Sequence, residues 1–251
     1  MKQLILSILI FSSLLACTNS GAPDCIQVAG DLVTKDFDLS GFDRIRIEDG
    51  VRLRVRKGDT YSVVLETGEF IVDDISVGVE DDVLVASNNL DCNFFREYGL
   101  TTLYVTTPDL REIRNSSRFD VIGENVLEFP RLSLLSTTSG EGADGKKSGD
   151  FYLSVEVNNL RVIANGISVF YLDGSANNAE YRFTDEQPRL EGEDLEVQNI
   201  EIVQVSANKM IINPQQSLVG VIRGTGDVIS VNRPDVVEVE ELFSGRLIFQ
   251  D

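Results

Sequence analysis

The stretch LVGVIRGTGDVISVNRPDVV, residues 218–237, carries the pattern on which the fold prediction rests. Two apolar runs, Val219–Ile222 and Val228–Val231, are separated by Gly224-Thr225-Gly226-Asp227 and followed by Pro234. Each run is too short and too β-branched for a helix, and both are typical of strands. We expect the glycines between them to allow a tight bend, in part through positive φ angles. The stretch therefore predicts one turn of a larger β structure.

Similar apolar runs, each followed by a polar turn, recur along the chain before this stretch. They are Leu103–Thr106, Phe119–Ile122, Leu132–Leu135, Phe151–Val157, Leu160–Ala164, Val169–Leu172, Ala179–Phe183, Leu195–Ile202, Val203–Ala207 and Lys209–Ile212. The pairs Asn158-Asn159 and Asn177-Asn178 lie 177 − 158 = 19 residues apart. A repeat near this length, made of strands and turns, is typical of stacked β-coils. The residues favour a β-solenoid but leave a β-sandwich open, and Ser136–Asp150 is predicted to be a loop.

The N-terminus has the pattern of an export signal, with Lys2 followed by the apolar segment Leu4–Leu15. About a dozen apolar residues are too few to span a bilayer, which needs about 20. The end of the segment, Ala16-Cys17, resembles the bacterial lipoprotein signal, in which the cysteine becomes the acylated N-terminus. The sequence thus predicts a signal peptide at 1–16, a lipidated tether at 17–36 and a folded domain at 37–251. The resemblance implies anchoring at the outer membrane or cell surface through Cys17.

Two further cysteines, Cys25 and Cys92, would lie in a compartment that permits disulfides. We predict that they pair, closing a loop of 92 − 25 = 67 residues and stabilising the fold by about 4 kcal/mol. The alternative is two buried free thiols.

The composition excludes several functions. The net charge is −19, and loss of Lys2 with the signal peptide makes it −19 − 1 = −20, which disfavours binding to nucleic acid or to anionic lipid surfaces. The chain has no histidine, so a Ser-His-Asp triad and a histidine-bearing zinc site are excluded. We predict no catalytic residue, no metal and no cofactor. Acidic clusters leave two alternatives: calcium at Glu191–Asp194, and polysaccharide hydrolysis by paired carboxylates.

An arginine-rich face is predicted within Phe42–Arg56, where apolar and charged residues alternate around the turn Asp49-Gly50. Alternation places Ile45, Ile47, Val51, Leu53 and Val55 inside and places Arg44, Arg46, Arg52, Arg54 and Arg56 outside. Arginine forks match the anionic groups of sulfated or uronic-acid glycans, so this face is a candidate ligand-binding surface. The alternative is cross-strand pairing with the chain's own acids, such as Glu66 and Glu80.

The chain resembles a known family of bacterial surface proteins. The motifs are Phe42-Asp43-Arg44-Ile45, Tyr61-Ser62-Val63, Asp82-Val83-Leu84-Val85, Asn165-Gly166, Asp173-Gly174, Gly224-Thr225-Gly226-Asp227-Val228 and Ser244-Gly245-Arg246-Leu247. Together they are similar to the auto-transporter adhesin "head GIN domain" lipoproteins over about residues 37–251. The resemblance implies an all-β, right-handed parallel β-helix-like solenoid on an envelope lipoprotein. It also implies a non-enzymatic adhesin or surface-binding protein, whose partner would be a glycan or a surface protein.

Overall fold

The computed structural model describes residues 27–90, 97, 99–140 and 146–250. These residues form β-strands and one short 3₁₀ turn, Val72–Asp74. The strands are β1 Leu32–Phe37, β2 Arg44–Glu48, β3 Val51–Lys57, β4 Ser62–Gly68, β5 Ile75–Glu80, β6 Val83–Asn88, β7 Thr101–Thr107, β8 Glu112–Ser116, β9 Val121–Gly123, β10 Leu127–Ser136, β11 Phe151–Ala164, β12 Val169–Phe183, β13 Arg189–Gln204, β14 Met210–Ile222, β15 Val228–Ser230, β16 Val236–Glu241 and β17 Leu247–Phe249. The prediction of an all-β class is confirmed. Cys17, Cys25 and Cys92, with the predicted signal peptide and most of the tether, lie outside the described residues.

Strand pairing is mixed and joins the strands into one sheet that curves nearly closed. β1 with β4, β4 with β7, and β5 with β6 are antiparallel. The later strands, from β10 onward, pair in parallel with the strand about one repeat further along the chain. Phe151 pairs with Phe170, Phe170 with Leu190, and Leu190 with Met210, at separations of 19, 20 and 20 residues. In the part of the chain that the structure describes, no helix is long and apolar enough to cross a bilayer.

The core is built from columns of inward side chains that stack across paired strands. One column is fully buried and comprises Val121, Phe151, Phe170, Leu190, Met210 and Val228. The rings of Phe151 and Phe170 stack with their centroids 4.5 Å apart. Each such side chain contributes about 1.5–3 kcal/mol through burial. The predicted inward set of Ile45, Ile47, Val51, Leu53 and Val55 is confirmed, with at most 1% of each exposed.

The repeated asparagines lie in register on the outside of the later strands. Asn159 pairs with Asn178, and Asn178 with Asn199. The Asn178 side-chain amide donates to Asn159 Oδ1 at 3.2 Å, and the Asn199 amide donates to Asn178 Oδ1 at 3.3 Å. Asn177 donates to Asn158 Oδ1 at 2.8 Å in a parallel row. The asparagines therefore satisfy one another from strand to strand.

The glycines between β14 and β15 have a different role from the one expected. Neither Gly224 nor Gly226 has a positive φ angle, so the expectation of a left-handed bend was wrong here. A Cβ on Gly226 would lie 1.9 Å from the carbonyl oxygen of Asn208, and one on Gly224 would lie 2.2 Å from that of Val205. Glycine is required because the bend packs its backbone directly onto the preceding bend. The Gly226 N–H donates to the Ser206 carbonyl at 3.0 Å.

Replacing Gly226 with Ala should therefore destabilise the protein by about 1–3 kcal/mol, since the added methyl group meets backbone that cannot move independently. Urea unfolding measures the change. The matched control is Gly78→Ala, because no atom lies within 4 Å of the Cβ position of Gly78. We expect that control to alter stability by less than about 0.5 kcal/mol. Equal losses in the two variants would contradict the close-approach explanation.

Candidate ligand-binding groove

Two tyrosines form an exposed aromatic pair on the outside of the sheet. Tyr152 on β11 and Tyr171 on β12 are in register, directly outside the buried pair Phe151 and Phe170. Their rings are nearly parallel, at 6°, with centroids 4.7 Å apart, and 41% and 39% of the two residues are exposed. This separation exceeds the roughly 3.5–4.0 Å contact distance of carbon atoms, so the rings are offset. Each ring therefore leaves part of its face open to a ligand.

A bulge in the next strand forms an acidic wall beside the tyrosines. Between β12 and β13 the register shifts after Tyr171 and Glu191, and β13 carries the extra residue. The shifted segment, Gly192-Glu193-Asp194, projects the exposed side chains of Glu193 and Asp194. The Asn213 side-chain amide holds the bulge by donating to the Glu193 carbonyl at 2.9 Å. Bulges commonly redirect side chains in this way.

The tyrosines and the bulge enclose a groove of about 360 Å³, which is within the usual range for ligand sites. Its floor includes Gly123 and Leu153, and its acidic lining comprises Asp173, Glu191, Glu193 and Asp194. Glu191 forms ion pairs with Arg189 and Lys209. Among the described residues, no ion pair neutralises the other three carboxylates. The groove therefore combines an aromatic surface with uncompensated negative charge.

Two aspartates lie at the entrance to the strands that carry the tyrosines. Asp120 Oδ1 accepts the Asp150 N–H at 3.1 Å, and Asp150 Oδ1 accepts the Val169 N–H at 2.8 Å. Burial raises the pKa of the Asp150 carboxyl; the Val169 hydrogen bond opposes this, and the charge of Asp120 adds to it. Burial also raises the pKa of the Tyr152 phenol, as do the charges of Asp150 and Asp120. Tyr152 thus stays protonated and able to donate a hydrogen bond at neutral pH.

The five predicted arginines are divided between two strands that do not pair with each other. Arg44 and Arg46 lie on β2, which pairs with β6 and β8, whereas β3, with the other three arginines, pairs with β7 and β9. The turn Asp49-Gly50 joins these two parts of the sheet. The structure therefore places the arginines in two groups on the outside of the sheet.

Acids and an aromatic ring of the chain contact these arginines. Arg54 and Arg56 approach Glu124 at 2.9 and 3.5 Å, and Arg46 approaches Glu48 at 2.8 Å. Arg44 approaches Asp43 at 3.8 Å. Arg52 donates to the Gly99 carbonyl at 3.3 Å and lies 5.6 Å from the centre of the Phe119 ring. Within the described residues, the acids that pair with these arginines thus include Asp43, Glu48 and Glu124.

The Glu191–Asp194 segment, considered as a calcium site in the sequence, lies along the groove. Among the described residues, no group of three or more acidic, histidine or cysteine side chains is placed to hold a metal ion. The sequence did not single out the two tyrosines, because aromatic residues within β-runs usually pack in the core. A repeated Phe-Tyr pair was a signal that could have identified them. Phe151-Tyr152 and Phe170-Tyr171 lie 170 − 151 = 19 residues apart, which is also the spacing of the asparagine pairs.

The chain belongs to the family described as "Putative auto-transporter adhesin, head GIN domain", whose model matches residues 41–234. The predicted resemblance is thus confirmed. Among curated proteins, no relative matches the chain.

Solved structures share the fold at low sequence identity. A "putative adhesin" from Bacteroides fragilis NCTC 9343 has a TM-score of 0.78 and 19% identity, covering 89% of this chain and 99% of that chain. A "putative adhesin" from Parabacteroides distasonis ATCC 8503 has a TM-score of 0.63 and 10% identity, covering 89% and 99%. A "putative lipid binding protein" from the same strain has a TM-score of 0.60 and 13% identity, covering 87% and 97%. At these identities the likeness concerns the fold.

Replacing Asp150 with Asn tests the electrostatics near Tyr152. Asparagine keeps an oxygen for the Val169 N–H and removes the charge. Because the pKa of Asp150 is raised by folding, the native protein holds this proton to a higher pH than the unfolded chain, and the aspartate lowers stability as the pH rises above about 4. We expect Asp150→Asn to be more stable than wild type in urea at about pH 7, and the difference to shrink at about pH 3.

Asp150→Ala is the control, because it removes the hydrogen bond as well as the charge. It should be less stable than Asp150→Asn at both pH values. A lower stability of Asp150→Asn than of wild type at neutral pH would contradict the analysis.

Proposed function

We propose that this chain is a non-enzymatic, lipid-anchored surface protein that adheres to a component outside the cell through the tyrosine groove. Family membership supports the adhesin class, because the family is described in those terms. The groove carries the proposal, since Tyr152 and Tyr171 are exposed beside three carboxylates that no ion pair neutralises in the described residues. Tyrosine is among the residue types enriched at binding hot spots.

The body proposed for this protein is a right-handed parallel β-helix from β10 onward. The support is the run of parallel pairings at separations near 19 residues. Right-handed connection is the strong preference for parallel strands in one sheet. Such a body presents a long lateral surface while remaining stiff. An experimental structure with a left-handed coil would contradict the handedness.

The attachment proposed for this protein is an acyl anchor at Cys17, followed by a polar tether that a Cys25–Cys92 disulfide ties to the body. Two or more acyl chains hold a protein stably at a membrane, whereas one does not. Intact mass with and without reductant tests the disulfide, and two free thiols would exclude it. The arginines Arg44, Arg46, Arg52, Arg54 and Arg56 stay a predicted anion-binding surface, although their internal contacts favour a structural role.

Acylation is tested by expressing the full chain in a bacterium that processes lipoproteins and feeding the cells an alkyne-labelled fatty acid. We expect the wild-type chain to be labelled and to fractionate with membranes, and Cys17→Ser to lose both properties. Cys25→Ser is the matched control, and it should keep the label because its position is not the acylation site. Equal labelling of wild type and Cys17→Ser would exclude the anchor.

Adhesion is tested with the same cells on immobilised polysaccharides of neutral, cationic and anionic types. Cells with the wild-type chain should adhere to at least one type several-fold more than cells without it. The double variant Tyr152→Ala/Tyr171→Ala should lose this gain, whereas Tyr152→Phe/Tyr171→Phe should keep most of it because the rings remain. Adherence unchanged by the alanine variant would remove the groove from the proposal.

A polysaccharide hydrolase is the second candidate, because the groove places several carboxylates beside aromatic rings. Hydrolysis uses two carboxyl groups on opposite sides of a glycosidic bond. Incubation of the purified chain with the same polysaccharides, followed by a reducing-end assay, distinguishes the two functions. We expect no new reducing ends. Release that Glu193→Gln abolishes would establish the enzyme and overturn the non-enzymatic proposal.

A further inference from the structure

We infer that the tyrosine groove selects glycans without acidic groups, with amino sugars favoured, and rejects uronic-acid and sulfated glycans. This inference rests on the proposed function and names the ligand class of the same site. The arginine face suggested a preference for anionic glycans. The groove suggests the opposite preference, because acidic residues line it.

The lining of the groove provides the charge argument. Asp173, Glu193 and Asp194 are exposed around the tyrosines without an ion pair in the described residues, and Glu191 is balanced by Arg189 and Lys209. Among the described residues that line it, none is a lysine or an arginine. An anionic glycan would bring like charges together in a partly enclosed space, at a cost that increases as water is excluded. A protonated amino group would instead gain from the carboxylates and from the faces of the aromatic rings.

The hydrogen-bonding groups of the groove match sugar hydroxyls. Ionised carboxylates only accept hydrogen bonds, and a hydroxyl-rich ligand supplies many donors to them. Tyr152 keeps its phenol proton because burial and the charges of Asp150 and Asp120 raise its pKa. Neither tyrosine hydroxyl forms a hydrogen bond within the described residues, so both are available to a ligand. The offset rings offer an apolar surface on which the C–H groups of a sugar ring can pack.

The position of the groove favours a glycan over a peptide. Peptides commonly bind sheets by adding a strand to an open edge, where backbone groups are unpaired. The tyrosines instead lie on β11 and β12, and each of these strands is paired on both sides. β11 pairs with β9 and β10 on one side and with β12 on the other. β12 pairs with β11 and β13. A ligand here can contact side chains only, because the backbone groups of these strands are paired. Sugars suit such a site, since their hydroxyls bond to polar side chains and their rings pack on aromatic ones.

The test is calorimetric titration of the purified full chain with three hexasaccharides: a glucosamine hexamer, cellohexaose and a galacturonic acid hexamer. We expect the first two to bind and the third to bind at least about tenfold more weakly than either. Added salt should weaken the glucosamine hexamer most, because only its binding includes ionic attraction. Stronger binding of the galacturonic acid hexamer, or binding of none of the three, would overturn the inference.

Variants connect the result to the groove. Tyr152→Ala and Tyr171→Ala should each weaken binding of the glucosamine hexamer at least about tenfold, and Tyr152→Phe should weaken it less. The double variant Glu193→Gln/Asp194→Asn should reduce the preference for the cationic hexamer over the anionic one. Arg54→Ala is the control from the arginine face and should have no effect. Unchanged binding in the tyrosine variants would overturn the inference, as would equally tight binding of a lysine hexapeptide.

Failure of this inference differs from failure of the proposed function. Cells could adhere through Tyr152 and Tyr171 while the purified chain binds the galacturonic acid hexamer most tightly. That result would overturn the proposed ligand class and retain the adhesive role. Adherence that does not depend on the chain at all would remove the adhesive role itself.

Discussion

Register between neighbouring parallel strands is the constraint on which the rest of this structure depends. Once Phe151 pairs with Phe170 and Phe170 with Leu190, every side chain has its equivalents one strand away on either side, and inward and outward positions alternate together. A slip of one residue would turn the phenylalanines outward and the tyrosines inward. The buried aromatic column therefore fixes the position of the exposed one. One strand register therefore determines both the core and the candidate groove.

Columns of stacked side chains also require compensation in volume. At one pair of inward positions β11 has Leu160 and Val162, whereas β12 has the small Ala179 and the large Tyr181. Tyr181 is almost completely buried, and this burial raises the pKa of its phenol. The same column continues through Ile202 to Gly220, where a Cβ would lie 2.0 Å from the Ile202 carbonyl oxygen. On β12 a small and a large residue thus occupy the two positions that two medium-sized residues occupy on β11, an exchange that close packing allows.

Sequence periodicity predicted the strand class, the inward set around Leu53 and a repeat near 19 residues, because each depends on local alternation or on a simple spacing. Polar residues on the outer face of a strand resemble a turn when their partners on the next strand are unknown. The same periodicity therefore divided β11 into two runs at Asn158-Asn159. It missed the acidic wall for a related reason: the bulge at Gly192–Asp194 exists only relative to the neighbouring strands. Periodicity also could not predict the acids that pair with the arginines, because Glu124 is 70 residues from Arg54 in the chain.

Among the described residues, the outward surface contains columns whose side chains satisfy one another and a groove in which several side chains do not. The asparagines donate to one another. On a neighbouring column Glu180 pairs with Arg161 and Arg182, and Arg182 also pairs with Glu201. Such columns have little capacity left for a ligand, because a ligand would have to replace contacts that already exist. In the tyrosine groove, by contrast, the hydroxyls and three of the carboxylates have no partner within the described residues. A ligand there gains interactions without breaking contacts among the described residues, and this difference favours the groove as a binding site.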